Sequence, residues 1–485
     1  MEARDLLKEI DWQNQHGRGD FSVADVTQDS RRAEEKFVFL ARKGFETDGH
    51  RFIKDAYQRG CRAFIVEELP GTLPDDAFFI KVENSAEILG QVAAVVHDHP
   101  DKDLDIYGVT GTNGKTTTCY LLYELLNELG FKTGLIGTIK VDAGGEEYSA
   151  ARTTPEASEI FRYLAKMRDN GCQGAVIEIS SHALELNRVD NLILKSAVFT
   201  NISQDHLDFH EDMDDYLSAK LSIFDLLDEK EGIGVYNSDD AMIRSGVDVA
   251  ENLYSFSLKD ESDFKVEIIE ASAEEVDFRL NGYEFNLSMG GLFNAGNAAA
   301  ALTVLFNEGY EAEELDEALS AFSGVPGRME KVENELGFTI LVDYAHTPAG
   351  MRNVLRSVTR LKYSDLIVVF GCGGDRDKDK RPKMGKAALE YAEKVFITSD
   401  NPRSEKPEEI IDDIVSGIDF ADYDSSWKII EERGEAIREA VKEAEKGDIL
   451  IIFGKGHETY QEFADERINF DDREEARKAV RRIEQ

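Results

Sequence analysis

Leu104-Asp105-Ile106-Tyr107-Gly108-Val109-Thr110 runs directly into Gly111-Thr112-Asn113-Gly114-Lys115-Thr116-Thr117. The first stretch reads as a buried strand, the second as a glycine-rich turn opening a helix over 116–129. Gly111 and Gly114 let backbone N–H groups approach phosphate oxygens. The helix N-terminus adds partial positive charge. Lys115 suits terminal phosphates, and the Thr116 hydroxyl suits Mg²⁺. The strict phosphate-loop spelling is missed, because Val109 fills the first glycine position and Gly108 sits one place early. Two glycines alone are an ordinary turn. Strand, turn, Lys-Thr and helix together point to ATP.

Outward from this point the chain alternates short β-branched runs with amphipathic stretches, an α/β pattern. Upstream lie strand candidates Phe37–Leu40 and Ala63–Val66, a helix over 86–97, and His99-Pro100-Asp101, which reads as a linker. Downstream come strands over 174–179 and 196–200, an alternating stretch 263–289 expected as an antiparallel edge, and a helix over 297–307. Gly324-Val325-Pro326-Gly327-Arg328 reads as a second boundary. Beyond it, Thr339–Asp343, Leu366–Phe370, 394–398 and Ile449–Phe453 alternate with helices, as in a second doubly wound sheet. Three α/β domains are expected: 1–100, a central mostly parallel 101–325, and a Rossmann-like 326–485.

The 485 residues hold 97 Asp+Glu against 56 Lys+Arg, a net charge of −41. Such a surface repels phosphate backbones and anionic membranes, which argues against nucleic-acid or membrane partners. With 42% hydrophobic residues, 27 Phe and 16 Tyr, this is no disordered acidic chain. The acid excess fits a salt-rich cytoplasm that screens self-repulsion. Cys61, Cys119, Cys172 and Cys372 lack metal or disulfide spacing, as expected of a reducing compartment. Residues 1–20 carry no apolar signal core, and no apolar run reaches membrane-spanning length. The expectation is a cytoplasmic protein.

Glu178-Ile179-Ser180-Ser181-His182 and the stretch from Asn201 to Asp208 each follow a strand end, where open α/β sheets bind ligands. Glu178 offers Mg²⁺ a hard oxygen. His206 by residue type is a hydrogen-bonding histidine, since imidazole prefers softer metals. Lys220, by itself, is a surface lysine on a helix. Asn294 and Asn297 present the donor–acceptor pair that suits adenine, or else a turn with a helix cap. Asp29-Ser30-Arg31, Asp48-Gly49-His50 and Asp400-Asn401-Pro402-Arg403 each read alone as turns or caps. Cys372 has no His-Asp partners and is not a nucleophile. The run 378–383 reads as a solvated charged face.

The spelling Gly-Thr-Asn-Gly-Lys-Thr-Thr resembles the Mur ligases and their relatives, the folylpolyglutamate synthetases. Segments from about Val26 to Arg477 favour the Mur side, in its diaminopimelate-adding branch. The resemblance implies an N-terminal nucleotide-sugar domain, a central ATPase domain and a C-terminal amino-acid domain. It implies that meso-diaminopimelate is joined to UDP-MurNAc-L-Ala-D-Glu through an acyl phosphate, in a monomer using ATP and two Mg²⁺ ions. ATP would be held by Gly111, Thr112, Asn113, Gly114, Lys115, Thr116, Thr117, Asn294, Asn297, Arg328, Asp343 and His346. Metal ligation falls to Thr116, Glu178, His206 and Lys220, the last as a CO₂-derived carbamate, with Lys115 stabilising charge. Ser30, His50, Thr153, Thr154, Ser180 and Arg188 would bind the muramoyl-dipeptide. Asn187 and Leu186 depart from the family's usual residues there. Arg376, Asp400, Asn401, Pro402, Arg403, Gly454 and Glu458 would form the diaminopimelate pocket. Arg403 would pair with the distal carboxylate, and lysine would leave it unpaired at about 1–3 kcal/mol. The rivals are a lysine-adding ligase, a folate-type ligase and a non-catalytic nucleotide-binding regulator.

Overall fold

The computed structural model describes all residues except 45–46, 249–251, 417, 420–425 and 485. It divides into two compact units, Met1–Phe264 with Ala300–Leu315, and Lys265–Ala299 with Asp316–Gln485.

The first unit opens with β1 (Asn14–His16), β2 (Asp25–Thr27), β3 (Phe37–Leu40), β4 (Ala63–Val66) and β5 (Phe78–Lys81). Their order is β1-β5-β4-β3-β2, parallel except for β1. The near-continuous apolar runs of β3 and β4 are those of strands covered on both faces. A second sheet holds β6 (Asp105–Thr110), β7 (Thr133–Ile136), β8 (Lys140–Asp142), β9 (Glu147–Ser149), β10 (Gly174–Glu178), β11 (Ser196–Phe199), β12 (Ile233–Asn237) and β13 (Leu253–Ser257). Its order is β13-β12-β11-β6-β10-β7-β8-β9, with β8 and β9 antiparallel. The connections after β6 and β11 run to opposite sides, so the switch point where such sheets bind ligands lies between these two strands.

Val38, Leu40 and Ile65 of the first sheet share one apolar cluster with Ile106, Ala175 and Ile177 of the second. Helices Ser85–Val96 and Ala157–Asp169 contribute Leu89, Val92, Ile160 and Leu164 to the same cluster. The segment expected as a linker is instead packed. His99 turns the chain at φ 48°, and a short helix Pro100–Lys102 follows with Pro100 and Asp101 buried.

The second unit begins with the expected antiparallel stretch, β14 (Phe264–Ala271), β15 (Val276–Leu280) and β16 (Tyr283–Leu287). Asn281 and Gly282, both at positive φ, make the β15–β16 turn. Helix Leu292–Asn307 starts five residues before the expected 297, because Gly291 at φ 93° already turns the chain into it. A further sheet holds β17 (Glu330–Lys331), β18 (Thr339–Asp343), β19 (Leu366–Phe370), β20 (Lys394–Ile397), β21 (Ser426–Ile429) and β22 (Ile449–Phe453). Its order is β17-β18-β22-β19-β20-β21, parallel except for β17. A hairpin, β23 (Tyr460–Glu462) with β24 (Arg467–Asn469), follows.

The run 378–383 is not wholly a solvated face. Arg381 is fully buried, bonded to Glu405 at 2.8 and 2.9 Å and to Asp413 at 2.7 Å. Those carboxylates satisfy the guanidinium and permit its burial. The four cysteines are buried and unpaired, and burial pushes the Cys372 thiol up to about 12. Among the described residues, no helix is long and apolar enough to cross a membrane.

Candidate functional site

The loops after β6 and β11 meet at the switch point. Thr112 N–H donates to Asn201 O at 2.8 Å, and the Asn201 amide brackets the Asn113 peptide at 2.8 and 2.9 Å. Gly111 must lack a side chain, since a Cβ there would stand 2.0 Å from Thr200 Oγ1. Gly114 at φ 84° caps helix Lys115–Glu128. With Thr112 and Asn113 held by Asn201, the helix N-terminus that Gly114 opens makes the anion cradle.

Two amines converge on one carbonyl. Lys115 Nζ donates to Gly111 O at 2.9 Å and to Thr112 O at 3.0 Å, and Lys220 Nζ donates to Gly111 O at 2.8 Å. Lys220 is 1% exposed, which corrects its reading as a surface lysine. Helix Met213–Leu221 places it inward. Burial, then the neighbouring Lys115 charge, holds its amine well below the ordinary lysine range. Tyr216 on the same helix anchors the arrangement with its hydroxyl 3.1 Å from Thr112 Oγ1.

Glu178 ends β10 beside the loop. Its Oε1 accepts from Thr116 Oγ1 at 3.1 Å, and its Oε2 accepts from Thr138 N at 3.0 Å and Thr138 Oγ1 at 2.9 Å. Sequence reasoning missed Thr138, although its place just beyond the end of β7 was a usable signal. His206, at φ 52°, lies edge-on to His182 at 4.8 Å. His182 stacks on Phe209 at 4.1 Å, and burial lowers its pKa to about 4, so the ring is neutral. Among the described residues no three His, Cys, Asp or Glu stand at metal-holding spacing. Thr116 Oγ1 and Glu178 Oε1, 3.1 Å apart, stand as a pair of hard oxygens.

Thr153, Thr154, Ser180 and Arg188 come together beside Glu178. Thr154 Oγ1 donates to Glu178 O at 2.7 Å and accepts from Ser180 N at 3.0 Å. Thr138 Oγ1 lies 3.0 Å from Thr153 Oγ1. Arg188 donates to Thr154 O at 3.2 Å and pairs with Glu156 at 3.0 Å. Arg42 and Arg152 also pair with Glu156, so three cations surround one carboxylate. Ser30 starts a short helix capped by Asp29. His50 lies 2.7 Å from Asp48 through Nδ1, while its Nε2 accepts from Glu67 N at 3.0 Å, which assigns the proton to Nδ1.

In the second unit, Asn294 sits inside its helix and donates to Gly290 O at 2.6 Å. Asn297 donates to Asn294 Oδ1 at 2.9 Å. Arg328 covers the Tyr344 ring at 4.6 Å. Asp343 accepts from Met329 N at 2.9 Å and Ala345 N at 2.8 Å, and burial raises its pKa. His346 is exposed, with Nδ1 3.0 Å from Tyr344 O.

The loops after β20 and β22 build a polar pocket. Asn401 Nδ2 donates to Glu458 Oε2 at 2.8 Å. The fully buried Lys455, which the sequence reading passed over between Gly454 and Glu458, donates to Asn401 Oδ1 at 2.9 Å and Glu458 Oε2 at 3.0 Å. It also lies 3.7 Å from Asp400. Gly454, at φ 115°, passes so close to Asp400 that a Cβ would stand 2.8 Å from Oδ2. Pro402 O is tighter still against Gly374, at 1.9 Å from a Cβ there. A Cβ on Gly373 would meet Arg403 Nη1 at 3.0 Å and Arg376 Cγ at 3.9 Å, so the two arginines flank it. Buried Arg433 bonds Asp472 at 2.7 Å, Phe453 O at 2.8 Å and Ser399 O at 3.4 Å. Arg403 is already engaged, by Glu462 at 3.1 Å and Gly374 O at 2.7 Å. This corrects the expectation that lysine would leave its guanidinium unpaired.

Three family models match the chain: "Mur ligase family, catalytic domain" over 22–97, "Mur ligase middle domain" over 109–305, and "Mur ligase, glutamate ligase domain" over 327–456. The chain is 38% identical over 493 residues to the UDP-N-acetylmuramoyl-L-alanyl-D-glutamate–2,6-diaminopimelate ligase of Clostridium tetani, covering 100% of both. It is 39% identical to the same-named protein of Clostridium perfringens, over 98% of both chains. A solved structure bearing that ligase name superposes with a TM-score of 0.68 at 32% identity, over 96% of both chains.

Proposed function

The chain belongs to the Mur ligase family, and on that footing we propose that it is the ATP-dependent ligase joining meso-diaminopimelate to UDP-MurNAc-L-Ala-D-Glu. The single observation that supports the choice of amino acid is the full-length similarity to ligases named for 2,6-diaminopimelate, with Asn401, Arg403 and Glu458 standing at the positions the resemblance assigns to that substrate. A guanidinium and a carboxylate are the groups that a zwitterionic distal end would take, each in exchange for its present partner, Glu462 or Lys455. The reading carries with it a cytoplasmic, monomeric enzyme.

In the proposed reaction the D-Glu γ-carboxylate attacks the γ-phosphorus of ATP, releasing ADP and leaving an acyl phosphate. The amine of diaminopimelate then attacks the acyl carbon, and phosphate departs. The cradle fits a nucleotide phosphate, because Gly111 admits no side chain and Gly114 opens the loop onto a helix N-terminus. Lys115 reaches over that loop as a cation for the transferring group. Thr116 and Glu178 would hold Mg²⁺, which when bound neutralises charge on the transferring phosphoryl. We assign Asn294, Asn297, Arg328, Asp343 and His346 to the nucleotide, Arg188 with Thr153, Thr154 and Ser180 to the muramoyl-peptide, and Ser30 and His50 to the nucleotide sugar.

Lys220 is assigned a carbamate. Its neutral amine adds CO₂, forming an N–C bond and releasing one proton, which replaces a potential second cation beside Lys115 with an anion. Thr138→Val tests the Glu178 assignment. It deletes one of two bonds on Oε2 while the backbone bond stays. Losing about 1 kcal/mol there should raise the Mg²⁺ needed for half-maximal activity roughly five-fold. An unchanged Mg²⁺ titration would remove Glu178 from the metal site.

The direct test is phosphate release with ATP, Mg²⁺ and UDP-MurNAc-L-Ala-D-Glu, adding meso-diaminopimelate or L-lysine separately at low and high KCl. Release with diaminopimelate in clear preference is expected. Preference for lysine would overturn the choice of amino acid, and the engaged state of Arg403 is the observation that favours that rival. Silence with both, with bicarbonate supplied, would overturn the ligase reading.

A further inference from the structure

Glu462 turns both its peptide and its side chain onto the two residues assigned to amino-acid selection. Its N–H donates to Asn401 Oδ1 at 3.0 Å. Its carbonyl accepts from Arg403 N–H at 3.0 Å, and its carboxylate accepts from Arg403 Nε at 3.1 Å. No step of the reaction uses this residue. The other acids of the pocket have cations elsewhere: Asp400 and Glu458 share Lys455, and Asp472 takes Arg433.

We infer that Glu462 is a specificity-determining residue, an internal counter-ion that occupies Arg403 and thereby narrows the preference for diaminopimelate over lysine. The inference rests on the assignment of diaminopimelate as the amino acid. Two effects act in the same direction. With lysine bound, Arg403 keeps Glu462, so no unpaired guanidinium penalises the wrong substrate. With diaminopimelate bound, the distal carboxylate approaches a cation whose charge is already shared, and it meets the like charge of Glu462. The pair is partly open to solvent, with side chains 23% and 37% exposed, so the effect is that of a screened ion pair.

Glu462→Gln isolates the charge. Both backbone bonds persist, and the amide oxygen still accepts from Arg403 Nε. Kinetics would be measured for the unsubstituted protein and the variant, with meso-diaminopimelate as substrate and L-lysine as substrate or competitive inhibitor. The KM for diaminopimelate should fall about two- to five-fold at unchanged kcat, with the lysine constant unchanged or higher. Glu462→Asp, which keeps the charge, should retain the original ratio. Equal weakening of both amino acids in the Gln variant would show Glu462 holding the substrate ammonium and overturn the inference. So would an Asp variant that shifts the ratio as far as Gln, because geometry and not charge would then be responsible. Failure of the parent assignment is seen separately, as absence of diaminopimelate-dependent phosphate release in the unsubstituted protein.

Discussion

Lys220→Met is expected to cut turnover by a factor on the order of 10²–10³ while raising, at neutral pH and without CO₂ or bicarbonate, the thermal midpoint over that of the parent carrying the free amine. The first effect follows from removing the nitrogen assigned to carry the carbamate beside Lys115. The second follows from burial. Lys220 is 1% exposed and shares Gly111 O with Lys115. In the folded chain its pKa lies well below its ordinary value, whereas in the unfolded chain it titrates near ~10.4. Between those two values the unfolded state binds the extra proton, so stability rises with pH through that window. The cost of the lysine is complete below the folded-state pKa and gone above the unfolded one. Methionine has the length and no charge, so its advantage should be large at neutral pH and fade as pH rises past ~10.4. Melting curves at the two pH values check this. A variant that melts lower than the parent at neutral pH would contradict the account of the buried amine.

Arg433→Ala should destabilise the second unit by about 3–5 kcal/mol, the usual result of leaving one partner of a buried ion pair behind. Arg433 and Asp472 are both fully buried, and the guanidinium also holds Phe453 O and Ser399 O. Those carbonyls immediately precede Gly454 and Asp400, so both loops of the amino-acid pocket hang from one side chain. An apolar double replacement, Arg433→Met with Asp472→Leu, removes both charges and should recover much of the melting temperature. It should not recover the KM for the amino acid, because the two carbonyls still lack their donor. Recovery of both would mean that Arg433 serves stability alone.

The phosphate loop and the parallel strands β3, β4, β6, β10, β11, β18, β19, β20 and β22 were legible because each is written locally, as a glycine pair before Lys-Thr or a short β-branched run, whereas β2, β5, β7, β12, β13 and β21 were not read. The antiparallel meander was legible from its alternation. The burial of Lys220 was not, since it depends on a loop 109 residues away in sequence. Arg381 looked like part of a solvated run because Glu405 and Asp413 lie 24 and 32 residues downstream. The pairing of Arg403 with Glu462 spans 59 residues and a hairpin whose register no motif announces. Helix Leu292–Asn307 began early because Asn294, read as a turn residue, satisfies itself on Gly290 O from within the first turn.

The apolar cluster that spans both sheets of the first unit has a consequence for how that unit comes apart. Val38 and Ile65 on one sheet and Ile106 and Ile177 on the other are each essentially inaccessible, within the same continuous core. Peeling the N-terminal strands away would bare the underside of helix Ala157–Asp169 and also break Arg162 from Asp25. The two sheets therefore open as one cooperative block, and their slowest amide protons should exchange together. A fragment beginning near residue 100 would leave the nucleotide loop's own strand without the part of that core which the N-terminal strands supply.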